Sequence, residues 1–284
     1  MYERILVPTD GSEVAEAAVD AAITLATRFD ADLHIVHVLE AGELPPGVED
    51  EGADESAVRG REAVSSAADR AAAAGVDATP TVVDTGGSVP EAICRYADEQ
   101  GCDCIVAGTY GRTGLDRFIL GSVAERLLRE SPIPVLTVHE ETVVDPALDR
   151  ILVPTDGSAC ARAAVDQAIE LALATDATLH VVHVVDSGIV DTGPIPAALE
   201  EAGERAIQQV VERADAAGVS ATERSLLNGT PHQEIVDYAD ENGIECIVMG
   251  THGRTGVDRY LLGSVAERVV RLSDSPVLAV KSAD

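Results

Sequence analysis

Apolar residues fall into two rhythms along this chain. Short runs such as Ile5-Leu6-Val7, Ile105-Val106-Ala107 and Val135-Leu136 are closed by Pro, Gly or polar residues. Between them lie longer stretches where apolar positions recur every three or four residues. The first rhythm predicts buried strands and the second amphipathic helices. In the first half, residues 4–8 read as a strand. Ser12 caps a helix to about residue 28, with Ala15, Val19, Ala22 and Ala26 on one face. Residues 32–39 form the second strand. Residues 40–54, acidic and rich in Gly and Pro, read as a long loop of the kind that is often functional. A helix is expected over residues 55–74 and a strand over 77–84. Ser88-x-x-Glu91 has the form of a capping box opening a helix to about residue 100. A fourth strand spans 103–108, a helix 122–130, and a fifth strand 134–139.

The second half repeats the first. Residues 4–12, RILVPTDGS, recur identically at 150–158, and LHIVHVLE at 33–40 returns as LHVVHVVD at 179–186. Thr230-x-x-Gln233 reads as a capping box and residues 276–281 as the last strand. A prior of roughly 150 residues per domain also gives two domains for 284 residues. They are placed at residues 1–140 and 149–284. Strict alternation of strand and helix forces a parallel sheet with right-handed crossovers, an α/β class.

Charge narrows the partners. The formal net charge is −30, with Lys281 the only lysine. The acids are spread through both halves. This argues against nucleic acid and anionic membrane as partners. Few aromatics, many small apolar residues and the dispersed acid excess resemble a halophilic protein, since molar salt cuts the screening length to about 3 Å and mutes self-repulsion. No apolar run approaches the about 18 residues of a membrane span. The N-terminus MYERILVPTD lacks a basic region followed by an apolar stretch, so a cytoplasmic location is expected. The five cysteines show no metal-ligand spacing, and Cys104 and Cys246 open matching strands as small core residues.

The chemistry concentrates after the fourth strand of each half. Residues 108–122, GTYGRTGLDRFILGS, return at 250–264 as GTHGRTGVDRYLLGS. The unit is strand, glycine-rich loop, helix start. Glycines let a backbone approach a phosphate and turn its N–H groups inward, and a helix start adds unpaired donors and a positive dipole end. Neither a Walker A loop nor a Gly-x-Gly-x-x-Gly fingerprint is present. Ser122-x-x-Glu125 and Ser264-x-x-Glu267 also have the form of capping boxes, which many helices carry without a ligand. The long pattern occurring twice favours the phosphate reading.

Gly108-x2-Gly111-x9-Gly121-Ser122, repeated at Gly250, Gly253, Gly263 and Ser264, resembles the ATP-binding branch of the universal stress protein family. The resemblance covers nearly the whole chain as two tandem domains. It implies a Rossmann-like fold of the adenine nucleotide alpha hydrolase type, each domain a five-stranded parallel sheet of order 3-2-1-4-5 flanked by helices. Strands one and four would then be neighbours, joining Pro8-Thr9-Asp10 to Gly108 and Pro154-Thr155-Asp156 to Gly250 at one ligand site. It implies ATP, or AMP or ADP, with Mg or Mn. It also implies that the backbone at Val38 and Val184 reads the adenine edge. The fifth strands would pair as in a family dimer, giving an intramolecular pseudo-dimer, with a homodimer of tandem chains a further option.

Individual residues keep two readings. Asp10 and Asp156 would bridge a cation to phosphate oxygens, or form Asx-turns before the next helix. Arg112 and Arg254 would pair with phosphate, or stay solvated. Thr109, Thr113, Gly114, Thr251, Thr255 and Gly256 complete the loops, and Gly121-Ser122-Val123 and Gly263-Ser264-Val265 would hold the terminal phosphates. His34 with His37, and His180 with His183, point to opposite strand faces and cannot share a metal. Tyr110 in one loop is His252 in the other, so no common general base is visible. The expected function is a nucleotide-dependent stress-response module with little or no hydrolysis. The alternatives are a slow ATPase or nucleotidyl-transfer enzyme, and an interaction scaffold with vestigial sites.

Overall fold

A computed structural model describes residues 1–39, 51–84, 87–110, 120–186, 195–253 and 262–282. The chain divides into two compact units, residues 2–143 and residues 144–284. The first runs β1 (Arg4–Pro8), α1 (Glu13–Phe29), β2 (Asp32–Leu39), α2 (Glu51–Ala73), β3 (Ala78–Asp84), α3 (Val89–Gln100), β4 (Cys104–Gly108), α4 (Ser122–Glu130) and β5 (Val135–Val138). Its strands are parallel and lie in the order β3-β2-β1-β4-β5. The second runs β6 (Arg150–Pro154), α5 (Ala159–Thr175), β7 (Thr178–Asp186), α6 (Ile195–Ala217), β8 (Ala221–Gly229), α7 (Pro231–Asn242), β9 (Cys246–Gly250), α8 (Ser264–Leu272) and β10 (Val277–Val280). Its order is the same, β8-β7-β6-β9-β10, again parallel.

Burial explains the composition of the strands. Ile5, Leu6, Val7, Leu33, Ile35, Cys104, Ile105 and Val106 are wholly inaccessible, as are Ile151, Leu152, Val153, Leu179 and Ile247. A parallel sheet covered on both faces needs such unbroken apolar runs. The edge strand β3 is only half-buried and correspondingly polar. In each unit the first two helices pack side by side, as do the last two, which places the pairs on opposite faces of the sheet. In α1 the expected apolar face is buried at Ala15, Val19, Ala22 and Ala26. Ser12 caps it, its hydroxyl accepting from the Ala15 amide at 3.4 Å. Asp30 ends it in the left-handed region at φ 55°.

Two expectations shift. The helix expected from residue 55 begins at Glu51, so only residues 40–50 of the expected loop precede it, and these lie outside the described residues. The Thr230 capping box does not form: Thr230 is the N-cap, but its side chain makes no capping bond. At α3 the Glu91 half of the box is present, its carboxylate accepting from the Ser88 amide at 3.3 Å.

The histidines obey the strand period. His34 and His180 meet the hydroxyls of Tyr96 and Tyr238 at 3.1 Å, on the side of α3 and α7. His37 and His183 face α2 and α6. The strand-opening Cys104 and Cys246 are core residues, and burial pushes the Cys246 thiol up to about 12 and that of the nearby Cys102 up to about 11. The half-buried Cys94 and Cys160 are therefore expected to take up maleimide at pH 8 while Cys102 and Cys246 do not. Peptide mapping of the labelled native protein checks this.

Candidate functional site

The site in each unit is assembled at the carboxyl ends of the first and fourth strands. After Pro8 the chain continues the ladder for one residue, the Thr9 amide donating to the Val36 carbonyl at 2.8 Å. The Thr9 carbonyl then accepts from His37 Nδ1 at 2.8 Å. The second unit repeats this, with the Thr155 amide on the Val182 carbonyl at 2.8 Å and His183 Nδ1 on the Thr155 carbonyl at 2.6 Å. A carbonyl only accepts, so Nδ1 carries the proton in both rings. Each ring is seated against a helix glycine. A Cβ on Gly60 would lie 2.2 Å from His37 Cδ2, and one on Gly203 2.5 Å from His183 Cδ2.

The turn that follows brings the carboxylate into place. Gly11 and Gly157 adopt φ 75° and 77°, a conformation that favours glycine. Asp10 Oδ1 accepts from the Ser12 amide at 2.9 Å and from its hydroxyl at 2.6 Å. Asp156 Oδ1 accepts from the Ser158 amide at 2.8 Å. The Asx-turn reading is therefore realised in both copies. In the second unit the other carboxylate oxygen reaches the loop after β9: a Cβ on Gly253 would stand 2.9 Å from Asp156 Oδ2. The ends of the first and fourth strands do converge.

The glycines divide by purpose. A Cβ on Gly108 would lie 3.0 Å from the Val14 carbonyl oxygen, and one on Gly250 2.7 Å from the Cys160 carbonyl carbon. At these two positions α1 and α5 approach too closely for a side chain. Gly121 and Gly263 serve the helix start. Their amides donate to the Thr109 and Thr251 carbonyls at 2.7 and 2.8 Å, and their carbonyls accept from Glu125 and Glu267 at 2.9 Å. With extended backbone angles they are the N-caps of α4 and α8. The capping boxes expected at Ser122 and Ser264 thus do not form, because those serines are the first helical residues and no side chain caps either helix. The amides of Ser122, Val123 and Ala124, and of Ser264, Val265 and Ala266, precede the first acceptor-matched turn. Three donors and the positive dipole end are left without an intrahelical partner at each helix start, an arrangement that suits an anion.

In the second unit these groups surround a cavity of about 620 Å³, within the range of about 300–1,000 Å³ usual for small-molecule sites. From the ends of β6 and β9 and the start of α8 come Asp156, Gly253, Gly263 and Ser264, and from β7, α6 and α7 come Val184, Val185, Leu199 and Ile235, with His183 and Asp186. Of the residues singled out from sequence, Pro154, Thr155, Thr251, Gly250 and Val265 also line it. Pro8, Thr9, Asp10, Val38, Gly108, Thr109, Gly121, Ser122 and Val123 hold the matching positions in the first unit. Gly111, Arg112, Thr113, Gly114, Arg254, Thr255 and Gly256 lie outside the described residues. Among those described, no group of three His, Cys, Asp or Glu side chains gathers to hold a metal.

Sequence reasoning passed over His37 and His183 as ordinary strand histidines. The signal that would have found them is their identity in both repeats, together with a helix glycine at Gly60 and Gly203. His252 and Asp186, which also line the cavity, were not placed there either.

Comparison with known proteins agrees with the two-domain α/β fold. A family profile described as "Universal stress protein family" matches residues 1–139 and again 147–281. A universal stress protein of Methanocaldococcus jannaschii, MJ0531, is 40% identical over 139 residues, which is 46% of this chain and 81% of the relative. Universal stress protein Slr1230 of Synechocystis is 24% identical over 303 residues, covering 98% of this chain and all of the relative. The crystal structure of a universal stress protein from Archaeoglobus fulgidus superposes with a TM-score of 0.76 at 26% identity, covering 99% of this chain and 98% of that one.

Proposed function

Because the chain belongs to the universal stress protein family, we propose that each unit binds ATP and acts as a nucleotide-dependent regulatory module with little or no hydrolysis. The observation that carries this reading is the uncapped start of α8, opening onto a cavity that Val184, Val185, Leu199 and Ile235 also line. A triphosphate is met at one end by the amides of Ser264, Val265 and Ala266 and by the dipole of α8. The adenine enters beside these residues, where the backbone of Val184 offers a donor and an acceptor. The ribose lies between them. The same groups in the first unit are Ser122, Val123, Ala124 and Val38. Gly111, Arg112, Thr113 and Gly114, with Arg254, Thr255 and Gly256, complete the two phosphate loops in this reading.

Asp10 and Asp156 each spend one carboxylate oxygen on the Asx-turn. Asp10 and Asp156 would hold a magnesium or manganese ion carried in with the nucleotide, which would relieve the repulsion between carboxylate and phosphates. The chemistry it supplies is charge neutralisation. Turnover is not favoured, because the residue that follows the loop threonine is Tyr110 in one unit and His252 in the other.

Freshly purified protein, denatured and analysed by chromatography, is expected to release adenine nucleotide. Calorimetry on stripped protein is expected to show two sites per chain with ATP intact at the end of the titration. Absence of binding under conditions where circular dichroism shows a native fold would reject this reading. Rapid release of phosphate would favour the slow-ATPase alternative.

A further inference from the structure

The phosphate-facing corners of the two units differ at one position. In the first unit Thr109 is followed by Tyr110, whose hydroxyl donates to Glu140 at 3.0 Å, while the Thr109 hydroxyl meets His139 Nδ1 at 2.9 Å. In the second unit Thr251 is followed by His252, and it is this ring whose Nδ1 meets the threonine hydroxyl at 2.9 Å. Both units thus pair the threonine with a histidine, but only in the second does that histidine belong to the glycine loop.

His252 has the placement of a ligand group. It lines the cavity. Its main chain lies against the N-cap of α8, since a Cβ on Gly263 would come within 3.4 Å of His252 Cα. Its carbonyl is 3.5 Å from the Ser158 hydroxyl, which ties it to the start of α5. Its Nε2 is buried and has no hydrogen-bond partner among the described residues. Buried polar atoms are nearly always paired, and a ring nitrogen left over on a residue that lines the cavity is accounted for if its partner arrives with the ligand.

We propose that His252 is a phosphate-contacting residue peculiar to the second site, and that it makes this site discriminate by the length of the phosphate chain. The inference rests on the nucleotide reading above. With the Thr251 hydroxyl donating to Nδ1, the ring carries its proton on Nε2 and donates it to an oxygen of the outer phosphates. The outer phosphates are the ones reached, because His252 stands beside the start of α8 while the base occupies the part lined by Val184 and Ile235. A monophosphate leaves Nε2 unpaired and gains nothing from it. The first site has no such donor at Tyr110, whose hydroxyl proton is engaged by Glu140.

Nuclear magnetic resonance on the full chain tests this. The chain has seven histidines, and the His252 ring signals are assigned by their loss in His252→Gln. On titration with magnesium–ATP the His252 Nε2 signal is expected to shift, and with AMP to stay. In His252→Phe, calorimetry is expected to show ATP affinity at one of two sites reduced about tenfold, as for a lost hydrogen bond to a charged acceptor, with AMP affinity unchanged. His252→Gln, which keeps an amide donor, is expected to lose less. If the Ser264 and Val265 amides respond to ATP and His252 does not, or if His252→Phe weakens ATP and AMP equally, the proposal is overturned and nucleotide binding stands. If no amide in either loop responds to any nucleotide, both readings fall together.

Discussion

Replacing Ser264 with aspartate is expected to cost at least about a hundredfold in ATP affinity at the second site, since two like charges about 4 Å apart repel by about 4 kcal/mol at an effective dielectric constant of 20. Ser264 is exposed and is the first helical residue of α8. Its amide is one of the three donors assigned to phosphate, so a carboxylate there occupies the ligand's own place. The same change should leave the fold unharmed or improve it. A negative side chain in the first turn gains about 0.3–1 kcal/mol from the helix dipole. Opposite signs in binding and stability are the mark of an anion site at a helix start. A substitution that merely damaged the unit would lower both. Calorimetry and thermal melting of Ser264→Asp and Ser122→Asp, each alone and together, make the comparison. Unchanged ATP affinity in Ser264→Asp would show that the start of α8 does not hold the phosphates.

Gly203→Ala and Gly60→Ala set helix propensity against packing. Alanine in place of glycine inside a helix is ordinarily worth about 1 kcal/mol. Here the new methyl would lie 2.5 Å from His183 Cδ2 and 2.7 Å from Leu226 Cδ1, or 2.2 Å from His37 Cδ2. The ring is not a yielding neighbour, because its Nδ1 is anchored to the strand-end carbonyl. Overpacking costs about 1–3 kcal/mol, and a displaced ring would leave a buried carbonyl unpaired at about 1–3 kcal/mol more. Packing wins, and each variant is expected to be less stable by about 1–3 kcal/mol net of the propensity gain. Chemical denaturation measures it. The ring is identified as the cause if Gly203→Ala costs little in a His183→Ala background. Equal cost in both backgrounds would move the strain to Leu226.

Much of this was legible in the residues because two rhythms and a repeat each carry a physical constraint. Unbroken apolar runs belong to a sheet covered on both faces, and strands of that kind must be parallel when helices alternate with them. The convergence of Thr155-Asp156 with Gly253 followed from the strand order that the family resemblance implied. What was misread concerns single backbone angles. Ser122-x-x-Glu125 has the letters of a capping box, yet Gly121 takes the extended conformation because its amide is held by the Thr109 carbonyl. The register moves by one residue, and the serine becomes a helix residue with its amide exposed. Gly250 also meets the backbone of α5, a contact that no local pattern reveals. His183 was passed over because its partner, the Thr155 carbonyl, carries no side-chain signature.

The contact at Gly108 and Gly250 has a bearing on tolerance to change. Strand and helix meet there with main-chain atoms of the helix among the closest contacts, so their spacing depends less on which side chains fill the core around them. The two halves of the chain already display that freedom: Val14 in one stands where Cys160 stands in the other, and Ala107 where Met249 does, while the glycine stays. The frame of the proposed site is insulated from drift in its surroundings, and either half can exchange core side chains while the glycine holds the strand end in place.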